Sequence, residues 1–194
     1  NYLFSVVHGA GSHENEMRTL EERWEAIVGK LGSESVPGFL RVFRNSRNPL
    51  TRHSDLFKAI RGSISDKSRV FGLLRDMYRD ADIYAALGDP EDALWSVEER
   101  KHVAELAMFN VRQPFALLLA ARRALPDAEF TRVLRACTIV SFRYNVIGNL
   151  ATKEQERVYN AVAEKIARRE LTGASERCAD SIATRSSSGR ISTK

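Results

Sequence analysis

Apolar residues recur at three- and four-residue steps along most of this chain, and this spacing constrains the fold more than any other feature. It is the spacing of an α-helix, in which such positions share one face. No segment alternates cleanly with a period of two, as half-buried strands do. The pattern predicts an all-α fold of about eight or nine helices in an orthogonal, bundle-like arrangement.

Glycine, proline and polar segments separate the predicted helices and mark where each begins. The starts lie near Glu14, Pro37, Ser54, Ser65 or Ser68, Ser96, Pro114, Asp127 and Thr152. Ser96 and Glu99 match a capping box, in which two side chains of the first turn satisfy each other's backbone amides. Thr152 and Gln155 repeat the pattern. Gly32 predicts the end of the helix that begins at Glu14.

Composition divides the chain into three predicted segments. Residues 1–13 end in glycine and serine, so we expect a loop, or the end of a preceding segment, since the sequence begins with Asn1 rather than Met. Residues 14–171 carry the helical periodicity and are predicted to form one helical domain. Residues 172–194 are rich in serine and threonine and poor in large aliphatic residues, which predicts a loosely ordered tail.

Two segments are candidates for the centre of the core. Phe115–Leu119 is apolar on most sides, which favours a central helix. The segment 127–148 predicts a long helix with one apolar face, made by Phe130, Val133, Leu134, Cys137, Ser141 and Tyr144. Beyond Cys137 apolar residues occupy its whole circumference, so we expect this helix to be buried centrally. The β-branched and aromatic residues of Cys137–Ile147 also suit a buried strand, but the length of the unit favours a helix.

Arg143 lies in the part of that helix predicted to be enclosed. A guanidinium keeps its charge when buried and therefore needs carboxylates or carbonyls around it. Arg143 is accordingly predicted to form a buried structural ion pair. The alternative is an arginine at the base of a groove that binds a polyanion.

The net charge of +5 is distributed unevenly. Residues 1–100 carry 14 basic and 16 acidic side chains, whereas residues 101–194 carry 16 and 9. A basic half suits binding to a polyanion such as DNA, although a solvated arginine-rich surface has the same composition. The candidate nucleic-acid-binding residues are Arg122, Arg123, Arg132 and Arg135. The first two end a predicted helix, where cations also favour the helix dipole.

No catalytic residue, metal site or cofactor site is predicted. The four histidines lack ligand spacing, and no phosphate-binding glycine loop or nucleophile motif occurs. Glu99 and Lys101 match the ExK step of metal-dependent nucleases, but they lie in a helix's first turn, where Glu99 is expected to cap. Cys137 and Cys178 form no disulfide framework, which favours a reducing cytoplasm. No apolar stretch is long enough to span a membrane.

Several segments, taken in order, resemble the helical region of the GmrSD-like restriction proteins. They are Asn1-Tyr2-Leu3-Phe4, Trp24 with Ile27, Leu56-Phe57-Lys58, Tyr84 with the acidic loop Gly88–Asp92, Gln113–Leu119, and Ser141–Gly148. Arg143 and Gly148 occupy matching places in the last segment. A serine stands where relatives often have an acidic residue.

The resemblance implies the helical middle of a modification-dependent, phage-defence restriction protein. In that family a ParB-like N-terminal domain carries a D-G-Q-Q-R-type motif linked to nucleotide hydrolysis, and some members add a His/Asn nuclease domain. Neither motif occurs in this sequence, so no active residue is carried over. The implied role is a scaffold that contacts DNA and positions a neighbouring nuclease or NTPase domain. A protein–protein interaction module with no nucleic-acid role is the alternative.

Overall fold

The computed structural model describes residues 2–9, 14–147 and 152–170, and every regular element within these ranges is helical. The predicted all-α class is therefore confirmed, and the segment that also suited a strand is helical as well. The α-helices are α1 (Tyr2–Gly9), α2 (Glu14–Leu31), α3 (Val36–Asn45), α4 (Leu56–Gly62), α5 (Lys67–Gly88), α6 (Val97–Met108), α7 (Phe115–Ala124), α8 (Asp127–Ser141) and α9 (Thr152–Ala167). A 3-10 turn (His53–Asp55) precedes α4, and a π-helical segment (Phe142–Ile147) follows α8.

The chain forms two compact units where the sequence predicted one helical domain over residues 14–171. The first unit comprises residues 1–44 and 51–85, and the second comprises residues 45–50 together with residue 86 onward. The predicted tail, 172–194, lies outside the described residues. None of the described helices is long and apolar enough to cross a lipid bilayer.

The first unit begins with a helix that the sequence did not predict. A loop was expected over residues 1–13, and this is wrong for α1, in which Val7 is completely buried. The Tyr2 ring lies edge-on to Phe57, with 6.2 Å between ring centroids, and the Tyr2 hydroxyl donates to the Ile64 carbonyl. A helix this short owes its stability to such packing rather than to its own sequence, which explains why the sequence pattern missed it.

The remaining core of the first unit follows the predicted helical faces. It is built from Leu20, Ile27 and Leu31 of α2, Phe39 of α3, and Val70, Leu74 and Met77 of α5. Gly32 ends α2 in the left-handed region, with a φ of +56°, as predicted. That conformation is strained for residues that carry a Cβ atom, so glycine is favoured at this position.

Helix α7 is the central element of the second unit. Every residue from Phe115 to Ala121 is buried, and the helix packs against both α8 and α9. Pro114 occupies the N-cap, where its missing N–H costs no hydrogen bond. The prediction that this apolar run is central is confirmed.

Helix α8 buries only the face that its periodicity marked out. The buried residues include Phe130, Val133, Leu134, Cys137 and Ser141, as predicted, while Tyr144 is half-buried. Ile139 and Phe142 retain 41% and 39% of their surface, so the prediction that this helix is enclosed beyond Cys137 is wrong. Helices α6 and α7 pack on α8, and neither covers Ile139 and Phe142 completely.

Candidate nucleic-acid interface

The chain between Glu129 and Glu154 carries basic side chains and no carboxylate. Its basic residues are Arg132, Arg135, Arg143 and Lys153, and all four are exposed. The first two lie on α8, opposite its buried face. Arg143 lies in the π-helical segment, and its side chain is exposed. The prediction that it forms a buried ion pair is therefore wrong. The physical reason is the same as for Ile139 and Phe142: apolar neighbours in sequence do not enclose a side chain unless another element covers it.

Helices α6 and α8 run side by side in the same direction, and this places the end of α6 beside the end of α8. Near their starts the Thr131 hydroxyl donates to a Glu99 carboxylate oxygen at 3.1 Å. Near their ends the Phe109 and Phe142 rings lie 5.3 Å apart, with 54° between the ring planes. The sequence separation across the pair is 32 residues at the first contact and 33 at the second, which is the pattern of parallel neighbours.

The ends of α6 and α8 therefore form a surface of apolar and basic side chains, which we call the aromatic–arginine surface. It comprises Phe109, Arg135, Ile139, Phe142 and Arg143, and every one of these residues is exposed. Positions three, four and seven apart on a helix lie on one side, so Arg135, Ile139 and Phe142 share a face. The aromatic–arginine surface combines cationic side chains with aromatic rings that solvent can reach.

The sequence predicted the two arginines of α8 as surface residues but missed the apolar members of this surface. Arg132 and Arg135 are exposed, as predicted, and Arg132 forms a 3.3 Å ion pair with Glu129 one turn earlier. The Arg132 side chain keeps 63% of its surface exposed and the Glu129 side chain 17%, so the paired guanidinium is still open to a phosphate from the solvent side. Phe142 is adjacent to Arg143 in sequence, but the contact with Phe109 required the fold.

Arg122 and Arg123 occupy a different part of the second unit, at the end of α7. The Arg122 guanidinium lies 2.5 Å from the Asp127 carboxylate and 5.1 Å from the centre of the Phe130 ring, and its side chain is only 19% exposed. Arg123 donates to the carbonyl of the buried Ser46 at 3.2 Å. The Arg122 contacts join α7 to α8, and the Arg123 contact joins α7 to the segment 45–50. We therefore assign the two arginines to structure and leave them out of the interface.

A buried polar cluster positions the end of α8 against α9. The hydroxyls of Ser141 and Tyr159 lie 2.8 Å apart, the Tyr159 hydroxyl donates to the Cys137 carbonyl, and the Gln155 side-chain amide donates to Tyr159 at 3.2 Å. Gln155 is thus turned into the core, and the capping box predicted for it is wrong. The cluster fixes the last turn of α8 immediately before the π-helical segment that carries Phe142 and Arg143.

Burial raises the pKa of Tyr159 far above the ordinary value of 10.0, with the neighbouring Cys137 thiol as a smaller cause. The folded state therefore holds this hydroxyl neutral, whereas the unfolded chain ionises above pH 10. The stability from Tyr159 is complete below pH 10 and is lost above it, by up to about 1.4 kcal/mol per pH unit. Tyr159→Phe is expected to remove this part of the alkaline decline in denaturation experiments between pH 8 and 11.

The control for this prediction is Val162→Ala, which weakens the core around α9 and changes no ionisable group. Its free energy of unfolding should be lower at every pH, with the same alkaline decline as the wild type. An identical decline in wild type and Tyr159→Phe would show that the buried hydroxyl is not held neutral by the fold.

Glu99, the glutamate of the ExK step, caps the start of α6, as predicted. A Glu99 carboxylate oxygen accepts from the Ser96 amide at 2.9 Å, and the Ser96 hydroxyl accepts from the Glu99 amide at 3.3 Å. Among the described residues no group of three histidine, cysteine or carboxylate side chains is arranged to hold a metal ion. His13, one of the four histidines, lies outside them.

The first unit contains an open cleft of about 820 Å³ between the end of α1 and the starts of α2 and α5. Lys67 in this cleft is ion-paired with Glu16, and Asp66 adds a second carboxylate. The pKa of Asp66 is lowered, chiefly because its carboxylate accepts a hydrogen bond from the Arg69 backbone amide and also one from the Ser65 hydroxyl. A cleft with these charges does not attract a polyanion.

Comparison of the sequence with protein-family models, with curated proteins and with solved structures finds no match in any of the three.

Proposed function

We propose that the second unit contacts nucleic acid through the exposed side of α8 and the π-helical segment. Arg132, Arg135 and Arg143 would neutralise backbone phosphates, while α6, α7 and α9 hold α8 in place. The described part of the chain then acts as a binding scaffold, and Glu99, which had the spacing of a nuclease step, acts as a cap.

The observation that carries this proposal is the run of exposed arginines with no carboxylate between Glu129 and Glu154. Basic side chains displace condensed counterions from phosphates, and the released counterions favour binding. An arginine also forms two parallel hydrogen bonds to a phosphate, which a lysine cannot do. A surface of this kind favours a polyanion over a neutral or basic partner.

The resemblance to the GmrSD-like restriction proteins extends this proposal to a biological role. The chain would be the helical region of a modification-dependent restriction protein of the phage-defence type. It would position DNA for a neighbouring nuclease or NTPase domain in the cytoplasm.

A protein–protein interaction module is the second candidate, and the apolar part of the same surface favours it. Met108 is 70% exposed, next to Phe109 in the chain, and Ile139 of α8 and Phe142 of the π-helical segment are exposed as well. Exposed apolar patches commonly mark sites where another protein docks. The arginines around this patch favour the nucleic-acid interpretation.

Salt-dependent binding tests the proposal. The full 194-residue chain is titrated into a fluorescently labelled oligonucleotide at several salt concentrations, and fluorescence anisotropy gives the affinity. Replacing Arg132, Arg135 and Arg143 together by glutamine should reduce the slope of log affinity against log salt by about 2.7 for duplex DNA and about 2.1 for a single strand, if each arginine contacts one phosphate.

The matched control replaces Arg18, Arg69 and Arg75 by glutamine. All three are exposed residues of the first unit, so the net charge falls by the same amount. The control should keep the wild-type slope. Equal slopes in both triple variants would mean that binding follows net charge alone, and no binding at low salt would contradict the proposal and favour the protein–protein module.

A further inference from the structure

The aromatic–arginine surface carries more than phosphate contacts require, because it includes two exposed aromatic residues, Phe109 and Phe142. Each residue keeps more than a third of its surface exposed although the two rings are in contact. Phosphates gain nothing from an aromatic ring. Nucleic-acid bases do, because every base has a flat π-face that stacks on such a ring whatever its sequence.

The cations lie where a strand that stacks on these rings would need them. Arg135 and Arg143 are eight residues apart, which corresponds to about 12 Å along a helix axis. Ile139 and Phe142 lie between them in sequence, and Phe142 is adjacent to Arg143. A backbone that follows the exposed side of α8 therefore meets a cation at each end of the apolar segment.

Duplex DNA cannot use this arrangement well. Its bases stack on one another inside the helix, so their faces are not available to a protein ring. A helix that enters the major groove also reads base edges with polar side chains such as asparagine, glutamine and arginine. Between Arg135 and Arg143 the exposed positions carry Ile139 and Phe142.

We infer that the aromatic–arginine surface binds single-stranded nucleic acid, with unpaired bases stacked on Phe109 and Phe142 and phosphates held by Arg135 and Arg143. This inference rests on the proposed function and narrows its ligand to a strand whose bases are unpaired. In a restriction system such a strand would be an opened or processed end of the DNA.

The test compares three labelled ligands of equal length with the full chain: an oligothymidine, the same backbone without bases, and a duplex. The oligothymidine should bind more tightly than either of the others. Phe109→Ala and Phe142→Ala should each weaken oligothymidine binding on the order of 10-fold, because each removes one stacked base. Neither variant should change the affinity for the abasic strand or the slope against salt.

Two further variants make the result specific. Phe142→Leu keeps the apolar surface and removes the ring, so it should weaken oligothymidine binding as much as Phe142→Ala. Phe57→Ala removes an exposed phenylalanine of the first unit and should have no effect. Thermal unfolding followed by circular dichroism establishes that the variants are folded.

The failures of this inference and of the proposed function are distinguishable. If the duplex binds as well as the oligothymidine, or if the phenylalanine variants bind normally while the arginine variants do not, the single-strand inference is wrong and the proposed function stands. Weaker duplex binding in the phenylalanine variants would indicate that these side chains insert between the base pairs of a duplex. That result would also overturn the single-strand inference. If none of the three ligands binds, both are wrong.

Discussion

Leu118→Ala is expected to lower the free energy of unfolding of the second unit by about 3–5 kcal/mol. Leu118 is completely buried in the middle of α7, in a run where every residue from Phe115 to Ala121 is buried. Truncation removes the transfer free energy of the lost carbons and leaves a cavity. Because α7 packs on both α8 and α9, the cavity cannot close by moving one neighbour.

The two tryptophans allow this loss to be assigned to one unit. Trp95 belongs to the second unit and Trp24 to the first, so in a Trp24→Phe background the fluorescence reports on the second unit alone. Urea denaturation followed at Trp95 gives the free energy of unfolding. Leu125→Ala, at the half-buried position that ends α7, serves as the control and should cost clearly less. Equal losses in the two variants would contradict the central position of α7.

Glu99→Ala is expected to lower the free energy of unfolding of the second unit by about 2–3 kcal/mol, because one carboxylate accepts hydrogen bonds from two donors. Its two oxygens accept from the Ser96 amide and the Thr131 hydroxyl, and the residue is buried. Alanine would leave both donors without this acceptor and would loosen the start of α6 from α8. The same denaturation experiment at Trp95 measures the loss.

Two variants separate hydrogen bonding from charge at this position. Glu99→Gln keeps an oxygen that completes the capping box, so it should cost less than about 1 kcal/mol. Glu98→Ala removes an exposed carboxylate from the same first turn and should have a small effect. A loss in Glu99→Gln as large as in Glu99→Ala would show that the charge matters more than the acceptor geometry.

Local patterns predicted the parts of the fold that local interactions determine. The apolar run of α7, the buried face of α8 and the Ser96–Glu99 capping box all follow from residues within a few positions of one another. Each is a matter of helical period or first-turn hydrogen bonding, which the sequence expresses directly.

Features that depend on distant partners were not predictable in the same way. Helix α1 is stabilised by contacts that join Tyr2 to Phe57 and to Ile64. Gln155 had the spacing of a capping residue, but Ser141 and Tyr159 offered it partners in the core. The division into two units likewise depends on which helices contact one another, and no change in composition marks it.

The candidate interface was partly predictable for the same reason. Charge counts pointed to the second half of the chain, and helical periodicity placed Arg132 and Arg135 on the outer side of α8. Arg143 was misplaced because an apolar neighbourhood in sequence indicates burial only when another element covers it. The pairing of Phe109 with Phe142 joins residues 33 positions apart and follows only from the parallel packing of α6 and α8.

Hydrogen exchange of the full chain, with and without a saturating oligothymidine, tests the central claim most directly. The account predicts that exchange slows at backbone amides in two places, residues 132–144 and the end of α6 around Phe109, and that amides of the first unit are unaffected. Slower exchange confined to the first unit, or no change anywhere at a ligand concentration that gives full binding, would contradict it.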